Sequence, residues 1–291
     1  MATSTRFDKF LQNITATSTD RADASMRAGN AASKLHSHYY TTTYSGSTLR
    51  IIGGYGKGTA ARPPRDVDIL FMPPNSVYHR FDGYSGNGQS ALLQEMREVL
   101  KSRYPNTNIR GDGQVVVVTF TDGHAVEVLP AWKTDSGKYL VPNTHDGGSW
   151  NLVDHDAEIK NIADSDARSN GNTRNLIRMM KTWQDYCSVP IKSLALELRA
   201  RNFLSTWEYY EKGTAYYDWM VRDFFGGLIK NAGNYCTIPG IEERCYYGDA
   251  WLSRAETAYS RAVKACDFES SSSDTDAAIE WRKIFGDKYG F

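Results

Sequence analysis

Residues 66–71, Asp-Val-Asp-Ile-Leu-Phe, constrain this chain more than any other stretch. The run has the composition of a buried strand, and in a strand alternate side chains share a face. Asp66 and Asp68 therefore stand side by side, while Val67 and Ile69 occupy the opposite face. Two carboxylates beside an apolar run repel each other and lose hydration unless a cation neutralises them. Hard oxygen ligands of this kind suit Mg²⁺. Just upstream lie Gly53 and Gly54, followed by a loop that carries Lys57, Arg62 and Arg65. Glycines let backbone N–H groups approach an anion closely, and the cations add charge of the sign a phosphate needs. The stretch 52–71 thus describes a nucleoside triphosphate with its metal.

Composition narrows the setting. With 291 residues the chain can form one large domain or two lobes with a substantial core. Lys and Arg total 34 and Asp and Glu total 34, so the chain lacks the broad positive field that binding to long nucleic acids relies on. Cys187, Cys236, Cys245 and Cys266 form no zinc-type spacing and read as free thiols. With an N-terminus that has no apolar signal segment, they point to the cytoplasm. No apolar run approaches the roughly 20 residues of a membrane span.

The hydrophobic pattern places the remaining elements. Phe7, Phe10, Leu11 and Ile14 recur at helical spacing, and an Ala-rich helix is expected to follow Asp20, its N-cap, and to run to about His38. Residues 39–44 and 48–52 read as strands. Pro73-Pro74 should end regular structure, with 82–88 a loop and 90–103 an amphipathic helix. Residues 114–120 and 124–129 read as a hairpin about Thr121-Asp122-Gly123. The polar stretch 132–169 is expected to be loop and crossover, followed by helices over 172–186, 249–266 and 277–286. Among the aromatic residues of 207–219, one could stack on a nucleobase.

Two further groups carry chemistry. Glu127 is the lone charge in Ala-Val-Glu-Val-Leu-Pro, 125–130. Buried unpaired carboxylates are rare, so Glu127 either faces water on an edge strand or joins Asp66 and Asp68; their presence favours the second. On the helix 172–186, Arg174, Arg178 and Lys181 share a face opposite the apolar stripe of Leu176, Met179, Met180 and Trp183.

The span from Gly53 to Asp66, ending in Asp-Val-Asp, resembles the signature of polymerase-β-type nucleotidyltransferases. More narrowly, Gly-Lys-Gly-Thr-Ala-x-Arg-Pro before Asp-Val-Asp, Val-Glu-Val-Leu-Pro-Ala-Trp at 126–132 and Leu-Ile-Arg-Met-Met-Lys-Thr-Trp at 176–183 resemble the CD-NTases, bacterial relatives of cyclic GMP-AMP synthase and oligoadenylate synthetase. The resemblance covers nearly the whole chain. One departure is Gly54, where the superfamily usually has Ser. The resemblance implies an α+β fold: a nucleotidyltransferase lobe with a mixed β-sheet over 1–165, and a mostly helical lobe over 166–291. It implies that Asp66, Asp68 and Glu127 hold two Mg²⁺ (or Mn²⁺) ions per active site. Gly53, Gly54, Lys181, Ser193 and, more remotely, Arg178 would contact the triphosphate. The substrates would be nucleoside triphosphates, at least one of them ATP or GTP, and the product a cyclic di- or trinucleotide messenger that activates a separate effector in antiphage defence. A regulatory protein partner is a further expectation, with Lys288-Tyr289-Gly290-Phe291 as its handle. The carboxylates alone leave open a linear oligonucleotide synthase or a terminal nucleotidyltransferase, and, from another class, a catalytically silent nucleotide sensor.

Overall fold

A computed structural model describes residues 3–63 and 66–290. Arg65 and Phe291, both singled out above, lie outside the described residues. In chain order the elements are α1 (Thr3–Ile14), α2 (Ser18–Tyr39), β1 (Leu49–Ile51), α3 (Gly53–Lys57), β2 (Asp66–Phe71), α4 (Asn75–Asp82) and α5 (Gly88–Lys101). There follow β3 (Asn108–Asp112), β4 (Val115–Thr119), β5 (Ala125–Pro130), β6 (Trp132–Lys133), β7 (Tyr139–Asn143), β8 (Ser149–Val153) and α6 (His155–Arg168). The rest comprises α7 (Asn172–Tyr186), α8 (Ser193–Leu204), α9 (Tyr217–Ile229), β9 (Tyr235–Thr237), β10 (Arg244–Tyr246), α10 (Leu252–Ser270) and α11 (Asp274–Phe285). None of the described helices is long and apolar enough to cross a membrane.

The chain divides into two compact units: Thr17–Gly58 with Pro64–Ile159, and Met1–Ala16 with Thr59–Pro63 and Lys160–Phe291. This differs from a single boundary near 165, because α1 and the short segment Thr59–Pro63 belong with the helical unit.

The first unit is built on a mixed sheet of order β1-β2-β5-β4-β3. Only β2 and β5 run parallel; the other neighbours are antiparallel. One face carries Val67, Ile69, Phe71, Val126 and Val128, buried in a core with Leu92, Leu93 and Met96 of α5. The helix α2 packs on β1, β2, β5 and α5 through Ala24, Ala28, Ala31 and Ala32. Small side chains let its backbone approach closely, which explains an Ala-rich helix with few large residues. Its N-cap is Thr17 rather than Asp20: Thr17 Oγ1 accepts from the Asp20 N–H at 3.1 Å and the Thr17 N–H donates to Asp20 Oδ2 at 2.7 Å. This reciprocal box satisfies two orphan donors of the first turn. On the other face of the sheet, Leu70 and Leu129 pack with Ile52, Ala131, Tyr139 and Val141 in a smaller core.

Several local expectations are corrected. Residues 40–44 form no strand, and the strand of this region is confined to Leu49–Ile51. After the prolines the chain resumes at once as α4, with Pro74 at its N-cap. Residues 132–169 are not loop: they form the sheet β6-β7-β8 and α6. The reason lies in the buried positions of α6. Glu158, Ile162 and Asp166 recur every fourth residue and are all buried, so two of the three inward positions are charged and the apolar periodicity is hidden. Glu158 is paired with Lys57, and Asp166 with Arg174.

The helical unit buries Trp183, Trp251 and Trp281 completely. Phe7 of α1 packs edge-on against Trp281 and Tyr289. Tyr289 is fully buried, and the Lys288 carbonyl accepts from Asn13 Nδ2 at 2.9 Å. Tyr289 is thus part of the core, while Lys288 beside it is exposed. All four cysteines are free thiols, Cys236 and Cys245 facing each other across β9 and β10.

Candidate active site

The parallel pairing of β2 and β5 sets the centre of the site. Its register makes Asp66 the partner of Ala125 and Asp68 the partner of Glu127. Paired residues in a sheet project to the same side, so Asp66, Asp68 and Glu127 share one face. Their neighbours Val67, Ile69, Val126 and Val128 point into the opposite core. On the carboxylate face, Leu70 and Leu129 lie one step further along the strands and are buried. The carboxylates therefore sit at the entrance to an apolar floor.

Crowding of like charge is expressed in proton affinity. Burial, together with the nearby charges of Asp68, Asp66 and Asp112, raises the Glu127 pKa from the ordinary 4.5 to about 7. Asp122, in the turn of the β4–β5 hairpin, behaves oppositely. Arg27 bonds it at 2.6 Å, and its pKa is lowered to about 2, so it staples the β4–β5 hairpin to α2.

Beside the carboxylates lies the glycine turn. The Ile52 N–H donates to the Asp68 carbonyl at 2.9 Å, and the chain then enters α3 with Gly53 at φ +56°. A Cβ on Gly53 would lie 1.7 Å from Asp68 Oδ2, so only glycine fits against this carboxylate. The expected open loop is in fact a short helix, Gly53–Lys57, closed by Gly58 in the left-handed region. Lys57 does not extend to the surface. It is buried, with Nζ 2.9 Å from Glu158 Oε2, and His155 Nδ1 lies 3.0 Å from Glu158 Oε1. Sequence reasoning gave Lys57 a phosphate; the fold gives it the task of tying α3 to α6. The buried Glu158 was the missing signal, and nothing in the local pattern marks it.

In the helical unit, Lys181 Nζ donates to Glu197 Oε1 at 2.6 Å and to Thr59 Oγ1 at 3.2 Å, and Thr59 Oγ1 in turn donates to Glu197 Oε1 at 2.8 Å. Thr59 and Glu197 are buried, and sequence reasoning missed both. The row of cations on α7 is individually engaged: Arg174 pairs with Asp166 at 2.7 Å and Arg178 donates to Asn175 Oδ1 at 3.0 Å. Ser193 opens α8, is exposed, and donates to Gln184 Oε1 at 3.0 Å.

Among the described residues, no group of three His, Cys, Asp or Glu side chains is arranged to hold a metal ion by itself. The donor set still fits a divalent cation. Mg²⁺ is usually held by one or two carboxylates together with substrate phosphates instead of an all-protein cage, and like-charge crowding at Glu127 is relieved by a cation.

A Gly-turn against the first strand of an Asp-x-Asp pair, with a carboxylate on the adjacent parallel strand, defines a polymerase-β-type nucleotidyltransferase fold. Comparison with known proteins specifies it further. The Second Messenger Oligonucleotide or Dinucleotide Synthetase domain matches residues 1–166, and the chain belongs to this family of nucleotidyltransferases, the CD-NTases, which make cyclic oligonucleotides. No curated protein matches the sequence. Among solved structures, CdnC of E. coli MS115-1 with ATP is similar, with TM-score 0.74 and 16% identity over 100% of this chain and 99% of that one. DncV of Vibrio cholerae, a cyclic AMP-GMP synthase in complex with the linear intermediate 5′ pppA(3′,5′)pG, gives TM-score 0.75 and 14% identity over 99% of this chain and 95% of that one. The complex of CdnC with HORMA gives TM-score 0.70 and 16% identity over 99% of this chain and 98% of that one. These identities speak for a shared fold.

Proposed function

We propose that the protein joins ribonucleoside triphosphates, at least one of them ATP or GTP, into a cyclic di- or trinucleotide that serves as a second messenger in antiphage signalling. The observation that carries this reading is the register of β2 and β5, which sets Glu127 beside Asp68 on the face that bears Asp66. Asp66, Asp68 and Glu127 are the residues that would hold two Mg²⁺ or Mn²⁺ ions. When bound, the metals neutralise the triphosphate and lower the pKa of the attacking hydroxyl. The protein's own part is positioning and charge. Gly53 and Gly54 bring backbone against the phosphates. Lys181, with Ser193 and Arg178 as weaker contributors, would meet the β- and γ-phosphates, a step in which Lys181 exchanges Glu197 for phosphate oxygens. An acceptor ribose hydroxyl gives up its proton to water and attacks the donor α-phosphate in line; the new P–O bond forms as pyrophosphate leaves with the electron pair of the broken one. The linear product keeps its own triphosphate, and a second transfer within it closes the ring.

The product would act on a separate effector protein, and a regulatory protein partner fits the same scheme. CdnC has been seen with a HORMA protein, which makes a partner of that kind the first to try. The test is incubation of purified protein with the four ribonucleoside triphosphates and Mg²⁺ or Mn²⁺, followed by phosphatase digestion and mass analysis. A phosphatase-resistant product without free phosphate ends is expected, and it should vanish in the Asp66→Asn, Asp68→Asn double variant. Phosphatase-sensitive oligomers alone would replace cyclisation with linear synthesis.

A further inference from the structure

A second site lies wholly within the helical unit and shares no residue with the carboxylate site. Trp183 and Cys187 at the end of α7, Arg254, Ala258 and Arg261 of α10, and Ile284 of α11 line a cavity of about 100 Å³ that opens to solvent. Its chemistry is uneven. The floor is apolar, with Trp183, Ala258 and Ile284 all buried. The rim is cationic: Arg254 and Arg261 are two turns apart on one face of α10, and Lys283 joins them from α11. No carboxylate lines it.

The cations differ in availability. Lys283 is paired with Glu280 at 2.5 Å. Neither guanidinium makes a salt bridge or a side-chain hydrogen bond among the described residues, although carboxylates and cations are equal in number over the chain. Both act on the Cys187 thiol: burial pushes its pKa up while Arg261 and Arg254 pull it down, so their charge reaches the interior of the cavity. A second unmet group is the indole N–H of Trp183, which is buried and has no acceptor among the described residues. Leaving a buried donor without an acceptor is costly.

We infer that this cavity binds a small organic phosphate, its phosphate held by Arg254 and Arg261 and its apolar body resting on Trp183, Ala258 and Ile284. Guanidinium groups match phosphate oxygens in geometry as well as charge, and an apolar pocket with a few convergent polar groups is the usual form of a small-molecule site. The shared chemistry is the phosphate. It can arrive on a nucleotide or as inorganic phosphate or pyrophosphate, and the apolar floor favours the nucleotide.

Cys187 offers a readout independent of turnover, because it lines the cavity and is half-buried while the other three cysteines are buried. Its alkylation rate is measured by peptide mass analysis with and without adenosine monophosphate, adenosine, pyrophosphate or phosphate, at matched ionic strength. Adenosine monophosphate should slow the reaction several-fold and adenosine should not. Protection by pyrophosphate or phosphate as well would still support a phosphate site. In the Arg254→Ala, Arg261→Ala variant the ratio of rates with and without adenosine monophosphate should return to one. Arg254 is exposed and Arg261 half-buried, so the variant should fold. Unchanged alkylation with every probe, equal protection by adenosine, or protection that survives in the variant would overturn the inference. None of these outcomes depends on synthesis, so failure here leaves the proposed activity to its own test.

Discussion

Replacing Gly53 by alanine separates the role of the glycine turn from that of backbone strain. The added Cβ would lie 1.7 Å from Asp68 Oδ2, whereas real contacts stay beyond 3.0 Å. Either the carboxylate or the turn must retreat by about 1.3 Å. A misplacement of about 1 Å in a catalytic constellation can lower the rate about a hundredfold, so turnover of Gly53→Ala should fall about a hundredfold or more. The left-handed backbone at φ +56° adds a stability penalty of about 1–2 kcal/mol for any residue with a Cβ. In a chain of this size that lowers Tm by only several degrees, leaving the protein folded at 25 °C. Gly46→Ala is the matched control: its φ is +87°, yet no atom lies within 4 Å of the added Cβ. It should lose comparable stability and keep its turnover. The assay is pyrophosphate release at saturating nucleotide, with Tm measured in parallel. Turnover of Gly53→Ala within about threefold of the parent, or an equal loss in Gly46→Ala, would refute the close approach as the reason for glycine.

Other expectations follow from the same geometry. Lys57→Met should destabilise the protein by about 3–5 kcal/mol, because it leaves Glu158 buried without its lysine; a denaturant titration showing less than about 1 kcal/mol would contradict a buried pair. Glu127 ionises near pH 7 in the folded, metal-free protein and at about 4.5 when unfolded. Between these values the folded state binds more protons, so metal-free stability should fall as pH rises from about 4.5 to 7. Glu127→Gln should flatten that part of the profile, and Mg²⁺ should stabilise the parent more than the variant; a Tm profile unchanged by the substitution would count against the crowding of these carboxylates. Lys181→Met should weaken triphosphate binding and strip Glu197 of its cation. Glu197→Gln keeps the lysine free to move and should retain most nucleotide affinity, as followed by titration calorimetry with a non-hydrolysable triphosphate.

Much of the site is local in origin and therefore legible in sequence. The alternation of Asp66, Val67, Asp68 and Ile69 fixes which side chains share a face, whatever surrounds the strand. The hairpin about Asp122-Gly123 and the helix over 172–186 follow from turn chemistry and a 3.6-residue stripe, and both stand where expected. Errors cluster where charge occupies inward positions. The buried stripe of α6 contains Glu158 and Asp166, so its periodicity reads as polar until Lys57 and Arg174 are seen to neutralise it. Residues 132–153 failed for a related reason, since β8 is largely exposed and the Asp-Ser-Gly and Asp-Gly-Gly turns at 135–137 and 146–148 break the stretch into strands too short to show apolar alternation.

The sequence by itself determined the chemistry: two carboxylates on one strand face, a glycine turn before them and an isolated glutamate in an apolar strand. These are properties of neighbours along the chain, set by backbone geometry that reaches only a few residues. Tertiary structure decided which of them meet. The parallel register alone makes Glu127 the partner of Asp68, and long-range burial alone turns Lys57 to Glu158 and Lys181 to Glu197. Ion pairs buried across 101 residues of sequence are invisible to local pattern, because the low dielectric that makes them selective exists only after the chain has folded.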